Sequence, residues 1–431
     1  MKIARRQIIK RRNISGIPSF RLAAAFPERD MHIDTGRRPA ALGAAFAFLA
    51  RHRFLASFAA LSLFMGISVG LAKINTTLYA LHLQASPWLL GLVAAGQSLG
   101  ILFTSLPMGY WVERYGAVRL FIAGSLAAGS LYVILPLVSD ALFLLIVTVA
   151  ISAIMPARFV SLNTVFMAAL SRIGQERAGW YRATHMAGMF LLGPILGASV
   201  IEAVGFRGGF WLIAAMFLIT ALLAPLVFTQ QPLGPPAGQS RRFDTRALVA
   251  HPQARRLALR EAFIQMLHMY YAFYIVVIAI QHLGLGETTA ATLVSVQGVA
   301  FILALFLGGG LVARLGHDTS LLSAALLAGG TLVLGLAAQV PLLWLGGILL
   351  GCGLGLLQIQ TLTQFALLGQ RVGLGRVAGF QAMAGPAGAL VGGLLGSFPG
   401  QWLGQQAVFL LFIPLCALLA WSSRRERIEP D

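Results

Sequence analysis

Between Phe54 and Trp421 the chain alternates long apolar runs with short polar turns, and the runs share a characteristic length. Twelve of them, at 54–81, 87–111, 118–138, 142–168, 179–203, 209–228, 257–281, 288–312, 320–338, 342–368, 377–397 and 402–421, are mostly apolar and about twenty residues or longer. A helix of that length matches the roughly 30 Å hydrocarbon core of a bilayer, so the pattern predicts an all-α integral membrane protein with twelve transmembrane helices. The run at 40–50 is too short to span, and 230–256, rich in Pro, Gly and Arg, is the one long polar interruption. The chain therefore divides into a basic N-terminal tail (1–53), a six-helix bundle (54–228), a linker (229–256), a second six-helix bundle (257–421) and a short tail (422–431).

The two bundles repeat one another. At a constant offset of 200 positions Gln97 matches Gln297, Gly109 matches Gly309, Val112 matches Val312, Arg114 matches Arg314 and Gly116 matches Gly316. Further on, Ala178-Gly179 matches Ala378-Gly379 and Gly193 matches Gly393. A gap-free register across several helices implies two copies of one unit, with the working part where they meet.

Composition agrees: 58% of residues are hydrophobic and 11% charged, which excludes a soluble domain of this size. The net charge of +18 would suggest a nucleic-acid partner in a soluble protein, but its placement points elsewhere. Of 32 lysines and arginines, all but Lys73, Arg158 and Arg207 precede the first run, follow an even-numbered run, or lie in or beside the linker. The positive-inside rule then puts both termini and the linker in the cytoplasm, with the basic tail along anionic lipid. The Arg37-Arg38 pair has a faint likeness to a twin-arginine signal, but Arg51-His52-Arg53 closes the apolar run after it and no cleavage pattern follows. Met31 is an alternative start to Met1. Cys352 and Cys416 sit in apolar runs, so neither a disulfide framework nor a CxxC metal site is expected.

Six spans, a basic linker, six spans, and a Gly-x-x-x-acid-Arg-x-Gly turn after the second span together resemble the major facilitator superfamily over residues 54–421. The resemblance implies two pseudo-symmetric six-helix bundles, the major facilitator fold. It also implies a gating turn that latches the cytoplasmic side through contacts between bundles, here Gly109, Glu113, Arg114, Gly116 and Arg119. The turn departs from the family pattern: Glu113 stands where Asp is usual, the following basic pair is thinned to Arg119, and the second copy has Ala313 in place of the acid. Gly193, Pro194 and Gly197 resemble a Gly-Pro-x-x-Gly motif enriched in antiporters of the superfamily, which leans toward export. Helix kinking and close packing, with no bearing on direction, is the other reading of that motif.

Ionisable side chains at the bilayer centre cost at least a few kcal/mol each and are functional candidates for that reason. The first span holds Lys73 and Asn75; the fourth holds Arg158; the seventh holds Glu261, Gln265, His268 and Tyr271; the tenth holds Gln358 and Thr361. In the family these four helices line the central cavity, so Lys73, Asn75, Arg158, His268, Tyr271, Gln358 and Thr361 are the expected substrate-binding residues. Glu261, Gln265 and His268 fall at i, i+4 and i+7 on one helix face, a spacing suited to proton coupling through Glu261 and His268. Alternatives stand beside these readings. Glu261 has Arg260 and Arg256 within pairing distance along the chain, and His268 has a role in packing; Arg158 has a structural role on its helix, and Lys73 has the reach to snorkel. Tyr270, Tyr271, Tyr274 and Trp180 suit stacking on a flat or chelating solute as well as packing.

No G-x-x-x-x-G-K-[ST] loop is present for a nucleotide-driven pump and no H-E-x-x-H for a zinc protease. The expectation is a monomeric secondary transporter of the bacterial inner membrane, driven by protons, with no cofactor, no metal site and no nucleic-acid partner. Interior cations outnumber interior acids, which favours an anionic or neutral polar small molecule. Export by antiport of a metabolite or a metal chelator such as a siderophore leads, and proton-symport uptake of a small organic acid or siderophore follows. A non-transporting sensor and an intramembrane enzyme come last.

Overall fold

The computed structural model describes residues 53–228, 245–397 and 399–428. The basic tail, most of the linker and the last three residues lie outside the described residues. The described chain is helical, and ten helices among these residues are long and apolar enough to cross a membrane.

We number the spans α1 to α12. In the first half, α1 is Arg53–His82, α2 is Pro87–Tyr115, α3 is Ala117–Ile134, and α4 comprises Ala141–Ile154 and Pro156–Ile173. The fifth span, α5, comprises Ala178–Met186, the π turn Ala187–Leu192 and the start of Gly193–Phe228; a break at Gly205 (φ 69°) separates it from α6, residues 206–228. In the second half, α7 is Pro252–Val277 with a π turn Ile278–His282, and α8 comprises Glu287–Leu307 and Gly309–Leu315. The remaining spans are α9 (Asp318–Leu336), α10 (Val340–Val372), α11 (Leu374–Ser397) and α12 (Val408–Ile428).

Local chemistry sets the ends. Ser86 accepts from Leu89 N at 3.3 Å to cap α2 ahead of Pro87, and Asp140 accepts from Phe143 N at 2.7 Å to cap α4. Proline explains two interruptions. Pro156 restarts α4 after Met155. Pro194 has no N–H for the carbonyl four residues back, and the Gly193 N–H reaches Gly188 O instead, so the turn before it widens into a π turn.

The packing repeats. In the first half α1 lies along α5, α2 along α4 and α3 along α6; in the second, α7 lies along α11, α8 along α10 and α9 along α12. The halves meet through α2 against α11 and α5 against α8. The offset seen in the sequence reappears in these contacts. A Cβ on Gly379 of α11 would meet Ser105 O of α2, and a Cβ on Gly179 of α5 would meet Leu305 O of α8. Gly179 is the repeat mate of Gly379, and Ser105 that of Leu305. Small residues here let backbones touch, as helix packing in lipid requires.

Candidate functional site

Three layers of polar contact follow one another from the end that carries the basic turns. The first closes that end. Glu113, in the last turn of α2, places Oε2 2.7 Å from Arg376 Nε and accepts from Arg376 N at 3.1 Å. Arg376 is in the first turn of α11, so one carboxylate both pairs with a guanidinium and satisfies an otherwise unpaired helix N–H of the other half. The backbones are already in contact there, because a Cβ on Gly109 would run into Gly375 O. At the repeat-related place a Cβ on Gly309 would run into Glu176 O, but Ala313 supplies no acid. Of the other turn residues, Gly116 ends α2 with φ 91°, while Arg114 and Arg119 are exposed.

The second layer lies deeper and also crosses between halves. Glu261 of α7 is buried and accepts from Gln358 Nε2 of α10 at 2.8 Å and from Gln265 Nε2 at 3.4 Å. Arg182 of α5 brings Nη2 to 3.7 Å from Glu261 Oε1. The acid thus pairs across the interface. Its chain neighbour Arg260 turns elsewhere, donating to Gln364 Oε1 at 2.8 Å and Ser423 Oγ at 3.4 Å. Trp180, two residues before Arg182, donates to Phe306 O of α8 at 3.1 Å. His268 follows Glu261 on the same face of α7. Its Nδ1 is 3.3 Å from Gln297 Nε2, and its ring contacts Phe190 of α5 and Phe301 of α8.

The third layer is a cavity of about 110 Å³ inside the first half, toward the opposite end. Lys73 and Thr76 of α1, Gln97 of α2, Tyr132 of α3, Thr148 of α4 and Phe217 of α6 line it among apolar neighbours. Behind Phe217 sits Arg158, fully buried, its guanidinium carbon 3.7 Å from the Phe217 ring centre and 5.5 Å from that of Phe121. Nη2 donates to Thr220 Oγ1 of α6 at 2.9 Å, while Nε and Nη1 have no hydrogen-bond partner among the described residues.

The expected site residues are therefore divided rather than gathered. Glu261 and Gln358 share one cluster, and Lys73 lies in the cavity with Arg158 behind its wall. Arg158 and His268 face different helices: the first α3 and α6, the second α5 and α8. Asn75 packs on α6, donating to Phe206 O at 3.4 Å. Tyr271 is fully buried, donating to Leu293 O at 2.8 Å; Tyr270 donates to Gln405 O and Tyr274 to Gly393 O at 2.8 Å. Thr361 is buried and its hydroxyl has no hydrogen-bond partner among the described residues. Gly193 and Gly197 face α1 at Gly70 and Ile74, with Pro194 between them, so this motif serves the α1–α5 contact.

Sequence reasoning does not single out Arg182, Arg376 or His185. Arg182 and Arg376 group with the basic turns by position, although Arg182 falls within the fifth apolar run. His185, one turn further along α5, is buried with Nδ1 3.3 Å from Ser62 O of α1. The rule that flags ionisable residues inside spans is the signal that would find it.

A family model described as Major Facilitator Superfamily matches residues 53–280 and again 261–430. No curated protein sequence matches the chain significantly. Among solved structures, the fold is similar to the E. coli fucose:proton symporter FucP (15% identity, covering 86% of this chain and 98% of that one, TM-score 0.68). It is also similar to a bacterial homologue of the iron transporter ferroportin in an outward-facing state (14% identity, 86% and 99% covered, TM-score 0.70). A third likeness is to the human organic anion transporter MFSD10 (15% identity, 86% and 99% covered, TM-score 0.66). At such identities the likeness is one of fold.

Proposed function

The chain belongs to the major facilitator superfamily, and from that premise we propose that it is a proton-coupled secondary transporter of a small anionic or neutral polar solute, working by alternating access. The observation that carries this reading is the pair of half-buried Arg182 with buried Glu261, which ties α5 of one half to α7 of the other at 3.7 Å. Protonation of a Glu261 carboxyl oxygen removes the charge that holds Arg182. The tie is then lost, because the hydrogen bonds of Glu261 run to Gln265 and Gln358 within its own half, and the halves are free to rock about the interface. A proton-linked release at this place is what coupling requires.

In this reading the basic end is cytoplasmic, following the positive-inside rule, and the membrane is a bacterial inner membrane with both termini inside. The closed contacts at Glu113–Arg376 and Gly179–Leu305 then describe a protein shut toward the cytoplasm. Export by antiport leads and proton symport is second. A cavity of about 110 Å³ is well below the roughly 300–1,000 Å³ of drug-sized ligand sites, which favours a small acid over a chelator of siderophore size.

Proteoliposomes under an imposed pH gradient test the proposal. Antiport predicts solute accumulation only when acid is on the side opposite the solute, and symport only when both are on the same side. Glu261→Gln and His268→Ala are each expected to abolish gradient-driven accumulation. Wild-type accumulation by both variants, or flux that ignores the gradient, contradicts proton coupling.

A further inference from the structure

Around the cavity of the first half stand two cations, Lys73, exposed on its wall, and Arg158, buried behind it, and among the described residues no carboxylate lines it. That imbalance is expensive. A buried cation without a counter-ion costs several kcal/mol, and Arg158 leaves Nε and Nη1 unbonded while stacking on Phe217. The other polar groups on the cavity wall are uncharged. Thr148, on the cavity wall, is 5% exposed and its Oγ1 has no hydrogen-bond partner among the described residues, so a buried donor beside the cavity awaits an acceptor. Lys73 and Thr148 lie nine and seven residues from the ends of their helices at the face opposite the latch, about 10–15 Å deep at 1.5 Å per residue. The remainder of the wall is apolar, with Ile151, Met155 and Phe159 from α4.

We propose that this cavity, housed in the first half alone, binds a small organic monoanion with an apolar body: Lys73 and Thr148 take the anionic oxygens, Arg158 supplies positive potential from behind the Phe217 ring, and the α4 side chains cover the apolar part. The proposal deepens the transport reading and takes the occupant to be the cargo. It excludes cations outright and places neutral solutes well below anions in affinity. It also separates cargo recognition in the first half from the Glu261 cluster that couples the halves.

Binding to the purified full-length protein in detergent tests it, with benzoate, benzamide and benzylamine as probes of one shape and three charges. Saturable benzoate binding is expected, with benzamide at least tenfold weaker and benzylamine silent. Lys73→Gln is expected to weaken benzoate at least tenfold, Lys73→Arg less than threefold, and Thr148→Val severalfold. The Arg variant shows that a loss in the Gln variant reflects charge rather than misfolding. Absence of saturable benzoate binding, benzamide binding as tight as benzoate, or indifference to Lys73→Gln overturns the proposal. A Lys73-dependent benzoate site in a protein that moves no solute under a pH gradient supports the site and defeats the transport reading. Gradient-driven flux of an organic acid that ignores Lys73→Gln defeats the site and leaves the transport reading standing.

Discussion

Glu113 and Arg376 are 263 positions apart in the chain, yet their side chains meet at 2.7 Å where α2 ends and α11 begins. The pair is only partly exposed, 21% for Glu113 and 14% for Arg376, and the carboxylate also holds the Arg376 N–H. Such a contact contributes about 1–2 kcal/mol to the closed state, or roughly a five- to thirtyfold shift in population. Glu113→Gln keeps an acceptor for the N–H and loses the charge. It is expected to raise reactivity of a cysteine placed at Leu374, half-buried at the start of α11, toward a membrane-impermeant thiol reagent, and Glu113→Ala to raise it further. Equal reactivity in all three proteins contradicts a latch here.

Gly379 and Ser105 touch backbone to backbone, as do Gly179 and Leu305 at the repeat-related place. Side chains there are incompatible with the closed arrangement, since a rigid backbone carbonyl lies opposite each glycine. Gly379→Val and Gly179→Val are expected to yield folded protein that fails to close at the basic end and moves solute at less than a tenth of the wild-type rate. Gly329, where an added Cβ would have nothing within 4 Å, is the control, and Gly329→Ala is expected to transport normally.

Arg158 places its guanidinium over the Phe217 ring while bonding Thr220, a pair of contacts that a lysine ammonium does not reproduce. Arg158→Lys is expected to reduce transport of an organic anion at least tenfold, whereas Arg314→Lys, at an exposed turn, stays within about twofold. A fall in thermal midpoint without a fall in transport would make Arg158 purely structural.

Much of the architecture is legible in the sequence because twelve long apolar runs leave little choice of structure, and the constant offset exposes the repeat. Faces are not legible. The spans are apolar nearly all round, so nothing in the sequence tells whether Tyr271 points to a solute or to Leu293 O, or whether Asn75 faces a cavity or Phe206. Arg182 reads as one more basic-turn residue. Its partner becomes visible only once the rotation of α5 is fixed, and the π turn before Pro194 contributes to that rotation. Glu261 is recognisable as unusual from its place in an apolar run, but its partner lies in the other half, beyond any local pattern.

The most direct test of the central claim is a distance across the basic end. Spin labels at Arg119 and Arg314, exposed turn positions in the two halves, are introduced on a background of Cys352→Ala and Cys416→Ala and read by pulsed electron resonance. One narrow distance distribution is expected in the parent and a second, longer population in Glu261→Gln, where Arg182 has lost its charge partner. Identical distributions in the two proteins, with transport lost or kept, would contradict a Glu261-controlled tie between the halves.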